Sequence, residues 1–109
     1  MKSSLTIAVA LTVSAMTGVA AADDANAKKL FTSMGCIACH KIDEFKAGAV
    51  GPDLNKVGAK GKDYIKESIL LPNKVIVPKF PPMVMPQDFG KRLKPNELND
   101  LVEWLGHHK

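Results

Sequence analysis

Two cysteines and a histidine stand together in the segment Cys36-Ile37-Ala38-Cys39-His40. This pattern suits the covalent attachment of haem, because both thiols can reach the two vinyl groups of the ring while the adjacent imidazole meets the iron. A structural zinc site and a redox dithiol use the same types of residue. The surrounding sequence therefore has to distinguish three kinds of site.

The zinc and dithiol interpretations each require features that the rest of the sequence does not provide. A structural zinc ion takes about four ligands, and beyond the motif the sequence offers only carboxylates and the adjacent pair His107 and His108. We interpret that pair, which follows the end of a predicted helix, as solvated and without a ligand role. A thioredoxin-like dithiol belongs in a βαβ context, which the helical pattern does not provide. Haem attachment is thus the favoured interpretation.

Two methionines could supply a second axial ligand. Met83 and Met85 lie in the segment 72–86, which contains five prolines. Such a density of proline excludes a helix or a central strand, so we predict a stiff, extended loop. Residues two apart in an extended chain point the same way, so both methionines could face a haem although only one could bind it. Met34 lies in a predicted helix, where core packing is its expected role.

Helical periodicity precedes and follows the haem motif. Apolar residues spaced three and four apart predict a first helix over 25–34, which Gly35 ends. Residues 41–61 are interpreted as loops with one short turn around 53–57. A second helix is predicted over 62–71, and Pro72 ends it. The residues expected to pack from this helix are Tyr64, Ile65, Ile69 and Leu71.

The clearest helix signal lies near the C-terminal end of the sequence. Pro95 suits a first helical position, and an apolar stripe follows it as far as Gly106. Trp104 lies at the edge of this stripe and is expected to pack against the first helix near Phe31. Helices joined by loops, without paired alternating strands, predict an all-α fold.

The N-terminal segment has the order of a secretory signal. Lys2 precedes an apolar stretch that ends in the small residues Ala20-Ala21-Ala22. We predict a signal peptide over 1–22 that is cut after Ala22, although a cut after Ala20 also satisfies the small-residue rule. An uncleaved membrane anchor is the alternative, since about 18 weakly apolar residues can just span a bilayer. The Ser, Thr and Gly content and the alanine end favour export.

Composition limits the remaining function classes. Removing residues 1–22 takes away one lysine and lowers the formal net charge from +4 to +3, which does not favour non-specific nucleic-acid binding. The chain that remains is small for a purely protein core, so a bound group should help to stabilise it.

Basic residues in the second half of the sequence could form a face that steers an acidic partner. The alternative is that they form an ordinary solvated surface. These residues are Lys56, Lys60, Lys62, Lys74, Lys79, Lys91, Arg92 and Lys94.

The sequence resembles a class I bacterial cytochrome c, and the similarity covers essentially everything after residue 22. Four features in this order carry the resemblance: the helix with Phe31 before the haem motif, the segment 51–54, the loop ending in Val84-Met85-Pro86, and the last helix with Glu97 and Trp104. The stretch 64–73 with the following loop is especially similar to the haem domain fused to subunit II of some haem-copper oxidases.

The resemblance implies a class I cytochrome c fold of about four helices around one covalently bound haem c, in a domain over 23–109. Cys36 and Cys39 would form the thioethers and His40 would be one axial ligand of the iron. The carbonyl of Pro52 would accept the Nδ1 proton of the imidazole, which fixes the ring and makes it more basic. Apolar residues expected to line the haem are Leu54, Val57, Tyr64, Ile69, Val75, Phe80, Phe89 and Leu93.

The resemblance also favours one methionine as the other axial ligand. Methionine followed by proline is the family pattern, and only Met85 has it, so Met85 is the expected ligand and Met83 the alternative. The loop is slightly longer than is usual in the family, which keeps that alternative open.

Histidine and methionine together would close both axial positions, so we expect outer-sphere electron transfer and no catalysis. The protein would be a periplasmic carrier between a redox donor and a redox acceptor, either free or as the cytochrome subunit of a redox enzyme or respiratory complex. No membrane insertion is expected after signal cleavage. A small haem enzyme or gas sensor with an open axial position is the alternative, and the stiff loop ending at Pro86 favours the carrier.

Overall fold

The computed structural model describes residues 6, 8, 22–42, 45 and 50–109. These residues form five α-helices and one 3-10 helix, with no β-strand among them. The helices are α1 (Asp24–Ser33), α2 (Cys36–Cys39), α3 (Lys62–Leu70), α4 (Phe89–Arg92) and α5 (Pro95–Gly106), and the 3-10 helix (Val57–Lys60) precedes α3. The all-α prediction is confirmed.

The predicted signal peptide over 1–22 lies almost entirely outside the described residues. Its cleavage therefore stays a prediction. In the part of the chain that is described, no helix is both long enough and apolar enough to cross a bilayer.

Helix α1 begins and ends at local sequence signals. The Asp23 carboxylate caps its start by accepting a hydrogen bond from the Asn26 backbone N–H at 3.1 Å. At the other end, Gly35 takes a φ of 81°, a left-handed conformation that glycine adopts without steric strain. The helix thus ends at Ser33, one residue before the predicted end, and Gly35 turns the chain into α2.

Helix α3 matches its prediction except at its last residue. Ile65 and Ile69 are buried, but Leu71, which was expected to pack, is 56% exposed because it lies past the end of the helix. Helix α4 has no counterpart in the sequence prediction. It is a single turn, and buried Phe89 at its start anchors it to the core.

Helix α5 begins at Pro95, the predicted first position, although the preceding Lys94 has no side-chain acceptor for capping. Glu97 supplies the missing contact, since its carboxylate accepts the Lys94 backbone N–H at 2.8 Å. Leu101 and Leu105 are buried on the inner face of the helix. The local sequence therefore fixes both the bounds of α5 and the face that it buries.

Helices α1 and α5 pack against each other and form the centre of the core. Trp104 is 3% exposed and meets the Phe31 ring edge to face, with centroids 5.4 Å apart. Near the start of α1, the Asp100 carboxylate accepts a hydrogen bond from the Asp23 backbone N–H at 3.1 Å and one from the Asn26 amide at 2.8 Å. The predicted contact between Trp104 and the first helix is confirmed.

The residues after α5 are held against the 3-10 helix. The Gly58 N–H donates to the His108 carbonyl at 2.6 Å. The His108 ring packs edge-on against Trp104, and its Nδ1 lies 2.9 Å from the Trp104 carbonyl. The prediction that both terminal histidines are solvated is wrong for His108, which these contacts half-bury, whereas His107 is exposed.

Candidate functional site

A cavity of about 500 Å³ opens between α2, the loop before the 3-10 helix, α3 and the loop over 72–86. This volume lies within the roughly 300–1,000 Å³ that is usual for small-molecule and cofactor sites. Cys36, Cys39 and His40 line it, and so do Met83 and Met85. The fold therefore gathers around one space the residues that the sequence singles out for chemistry.

The inner end of the cavity is a smaller pocket of about 80 Å³ that reaches the core. Phe31, Ile65 and Leu101 form its floor, and all three are buried. The eight apolar residues expected to line a haem all line either the cavity or this inner pocket. A group seated here would be removed from water on its inner side, which favours an apolar ring over a charged ligand.

His40 is held by the backbone of the loop that follows the haem motif. Its Nδ1 lies 2.7 Å from the Pro52 carbonyl, which can only accept, so Nδ1 carries the proton and Nε2 is left with its lone pair. The same loop is tied back to α2, because the Gly51 N–H donates to the Cys39 carbonyl at 2.8 Å. In the folded chain, these backbone contacts fix the orientation of the ring.

Gly51 leaves room for the imidazole. A Cβ at this position would lie 2.7 Å from His40 Cε1 and 3.0 Å from Nδ1, closer than ordinary van der Waals contact. The sequence contains the segment Gly51-Pro52, but nothing in its composition says that the glycine faces a ring. This contact is therefore a feature that sequence reasoning misses.

The two cysteines lie on the single turn of α2, half-buried and free of any disulfide. Burial raises the pKa of the Cys36 thiol, and the positive charge of Arg92 offsets part of this rise. A lowered thiol pKa is typical of reactive dithiols, so the direction of this shift does not favour a redox role for Cys36. Its position beside His40 in the cavity wall suits covalent attachment of a cofactor instead.

The two methionines occupy different positions in the loop over 72–86. Met85 is half-buried, packs against the core and lines the inner pocket with His40. Met83 is 68% exposed and lines only the outer cavity. The loop is not uniformly extended as predicted, because Lys79 and Met83 have φ of 77° and 64°. The two methionines therefore do not share one direction.

Two polar residues at this site were not given a role from sequence. Ser68 of α3 lines both the cavity and the inner pocket, and it is flanked there by apolar side chains. Asn73 lies at the rim and bonds to Met83. The sequence contains a signal for each of them. Ser68 is a polar residue on the side of the helix predicted to be buried, and Asn73 directly follows the proline that ends this helix.

The residues of the cavity fit a covalently attached haem. Two thiols and an oriented imidazole lie on one wall, a thioether lies at the same inner pocket, and the remaining lining is largely apolar. A zinc site fits less well, since no group of three or more His, Cys, Asp or Glu side chains among the described residues could hold a metal ion.

Comparison with known proteins identifies the family. The family model described as Cytochrome c matches residues 25–109, which is most of the chain. Searches of curated proteins and of solved structures gave no match. The family match, the helical fold and the lining of the cavity agree. The chain therefore belongs to the class I cytochrome c family and is an electron-transfer protein that carries covalently attached haem c.

Proposed function

We propose that this protein is a periplasmic cytochrome with one haem, which transfers single electrons between two redox proteins. The observation that carries the proposal is the inner pocket, where Cys36, His40 and Met85 meet in an apolar surrounding. An N-terminal signal peptide over 1–22, cut after Ala22, would export the chain to the periplasm. N-terminal sequencing of the mature protein tests this part, with Asp23 as the expected first residue.

Each residue of the site has a separate part in holding the cofactor. Cys36 and Cys39 would form the thioethers, His40 would bind the iron through Nε2, and Met85 would supply the second protein ligand. The Pro52 carbonyl holds the Nδ1 proton of His40 at 2.7 Å, so the imidazole presents Nε2 in one orientation. When bound, haem supplies a one-electron iron couple, and the thioether and the apolar lining favour the reduced form.

Closed axial positions support electron transfer over substrate chemistry. His40 and Met85 lie in the wall of the same inner pocket, and the loop that carries Met85 is restrained by the following Pro86. A small haem enzyme or gas sensor needs an open or readily displaced position on the iron. Among the described residues of the site, no contact favours that alternative.

Optical spectra of the haem protein test the ligand assignment. We expect low-spin spectra with a sulfur-to-iron charge-transfer band that Met85→Ala abolishes and Met83→Ala preserves. Met83 is the matched control, because it is the same residue type, lies two positions away and is excluded from the inner pocket. Rapid binding of carbon monoxide by the native reduced protein would contradict the closed site.

The electron partners would dock over the mouth of the cavity. Lys56 and Lys60 line the cavity and are exposed, so they place positive charge beside the site of the haem. Not every basic residue contributes equally, because Lys62 and Lys74 are paired with Glu103 and Glu67 at 2.5 Å each. The proposed docking face would therefore depend on fewer unpaired lysines than the sequence alone suggests, and it would attract an acidic donor or acceptor.

Charge reversal tests the docking face. Lys60→Glu should slow electron transfer to an acidic partner protein and weaken the dependence of its rate on salt. Lys66→Glu makes the same change of charge on an exposed residue of α3 that does not line the cavity, and it should have a smaller effect. Equal effects would show that only net charge matters. Co-purification with a redox partner would distinguish a permanent subunit from a free carrier.

A further inference from the structure

Met83 has an unusual conformation for its residue type. Its φ of 64° lies in the left-handed region, which a side chain with a Cβ rarely adopts. The side chain is 68% exposed, so burial does not hold it in place. Specific contacts must therefore stabilise this turn of the loop.

Asn73 provides these contacts with both ends of its amide. Its Oδ1 accepts the Met83 backbone N–H at 2.8 Å, and its Nδ2 donates to the Met83 Sδ at 3.1 Å. The backbone N–H can only donate, which fixes the amide orientation and leaves Nδ2 facing the sulfur. Gln87 makes a longer contact of 3.5 Å to the same sulfur.

Asn73 is itself attached to the helical scaffold. It follows Pro72 in the turn after α3, which is closed by a hydrogen bond of 3.0 Å from the Lys74 N–H to the Leu71 carbonyl. The contacts to Met83 therefore connect the tip of the loop to the end of α3. They fix the direction of Met83 at the point where the chain approaches Met85.

We propose that Asn73 is a positioning residue that determines which methionine reaches the iron. By holding the Met83 backbone in a left-handed turn and engaging its thioether, Asn73 retains Met83 at the rim and directs Met85 into the inner pocket. The loop carries two chemically equivalent ligands, so this selection is needed to give a single form of the protein. The proposal rests on the proposed function, in which Met85 is the axial ligand.

The test uses proton NMR of the reduced haem protein, in which each ligating methionine gives its own set of ring-shifted signals. The wild-type protein should show one set, which Met83→Leu leaves unchanged and Met85→Leu removes. In Asn73→Ala, a second set from Met83 should rise to about 10% or more of the protein. The double variant Asn73→Ala with Met83→Leu should return to one set.

The variants separate selection from general loosening of the loop. A single unchanged set in Asn73→Ala would overturn the proposal, and so would a second set that persists in the double variant, since Met83 would then not be its source. Gln87→Ala leaves both Asn73 bonds in place and should keep one set. A second set in Gln87→Ala as large as that in Asn73→Ala would also refute the assignment to Asn73.

Failure of the proposed function gives a different result. If Met83→Leu removes the signals of the wild-type protein and Met85→Leu retains them, Met83 is the ligand. The Asn73 amide would then donate a hydrogen bond to the sulfur of the ligand Met83. Both the ligand assignment and the selection proposal would be refuted. If Met85→Leu removes the signals and Asn73→Ala has no effect on them, only the selection proposal is overturned.

Discussion

Gly51→Ala tests whether the backbone of the loop before the 3-10 helix holds the axial imidazole. The added Cβ would lie 2.7 Å from His40 Cε1, whereas ordinary contact begins at 3.4 Å, so ring and backbone must separate by about 0.7 Å. This movement acts directly on the hydrogen bond of 2.7 Å between His40 Nδ1 and the Pro52 carbonyl. Gly51 has no left-handed φ, so crowding alone is tested.

The expected loss of stability has two parts. Forcing a methyl group into a filled site typically costs about 1–3 kcal/mol, and weakening one hydrogen bond adds roughly 0.5–1.5 kcal/mol. We therefore expect the free energy of unfolding to fall by about 1.5–4.5 kcal/mol. The reduction potential should rise, because an imidazole with a weaker bond at Nδ1 donates less electron density to the iron.

Guanidinium unfolding and a redox titration of the haem protein measure both effects. Gly90→Ala is the control, because a Cβ there would meet only Leu70 Cδ2 at 3.4 Å and lies within helix α4. It should be neutral or slightly stabilising. If Gly51→Ala matched Gly90→Ala in stability and in potential, the reasoning that Gly51 and Pro52 hold His40 would be refuted.

Three further predictions concern the core and the cofactor. Gly58→Ala should lower the free energy of unfolding by about 3 kcal/mol or more, because the new Cβ would overlap the Gly106 carbonyl. A melting temperature equal to that of the wild type would contradict this prediction. Trp104→Ala should cost about 3–5 kcal/mol in denaturant unfolding, and a loss below 1 kcal/mol would show that the contact with Phe31 is dispensable. The haem-free chain should be largely unfolded, since its small core lacks the group that fills the cavity; a native-like helical circular dichroism spectrum of the apoprotein would disprove this.

Local signals explain why the helices could be predicted. Pro95 and Gly106 bound α5, Gly35 ends the first helical segment, and Pro72 follows α3, so each of these positions depends on residues nearby in sequence. Apolar spacing likewise identifies the buried faces, because a helix places residues three and four apart on one side. The all-α fold and the haem motif needed no distant contact for their prediction.

Contacts between distant segments explain what could not be predicted. Helix α4 is a single turn whose formation depends on the burial of Phe89, and periodicity cannot detect so short an element. The contact between Gly51 and His40 joins residues of separate segments, as does the docking of His108 on Gly58. The direction of Met83 is set by Asn73, ten residues away, so the assumption of an extended loop fails there.

The contact between Asp23 and Asp100 has a consequence for maturation. In the uncut chain the Asp23 nitrogen is a peptide N–H that donates to the Asp100 carboxylate at 3.1 Å. Under the proposed cut after Ala22, the same nitrogen becomes the terminal ammonium, and a hydrogen bond from a neutral donor to the carboxylate becomes an ion pair between the start of α1 and the middle of α5. The pair is exposed, so its gain is below about 1 kcal/mol. Cleavage of the signal peptide would thereby strengthen the contact between α1 and α5 when the domain is released to fold.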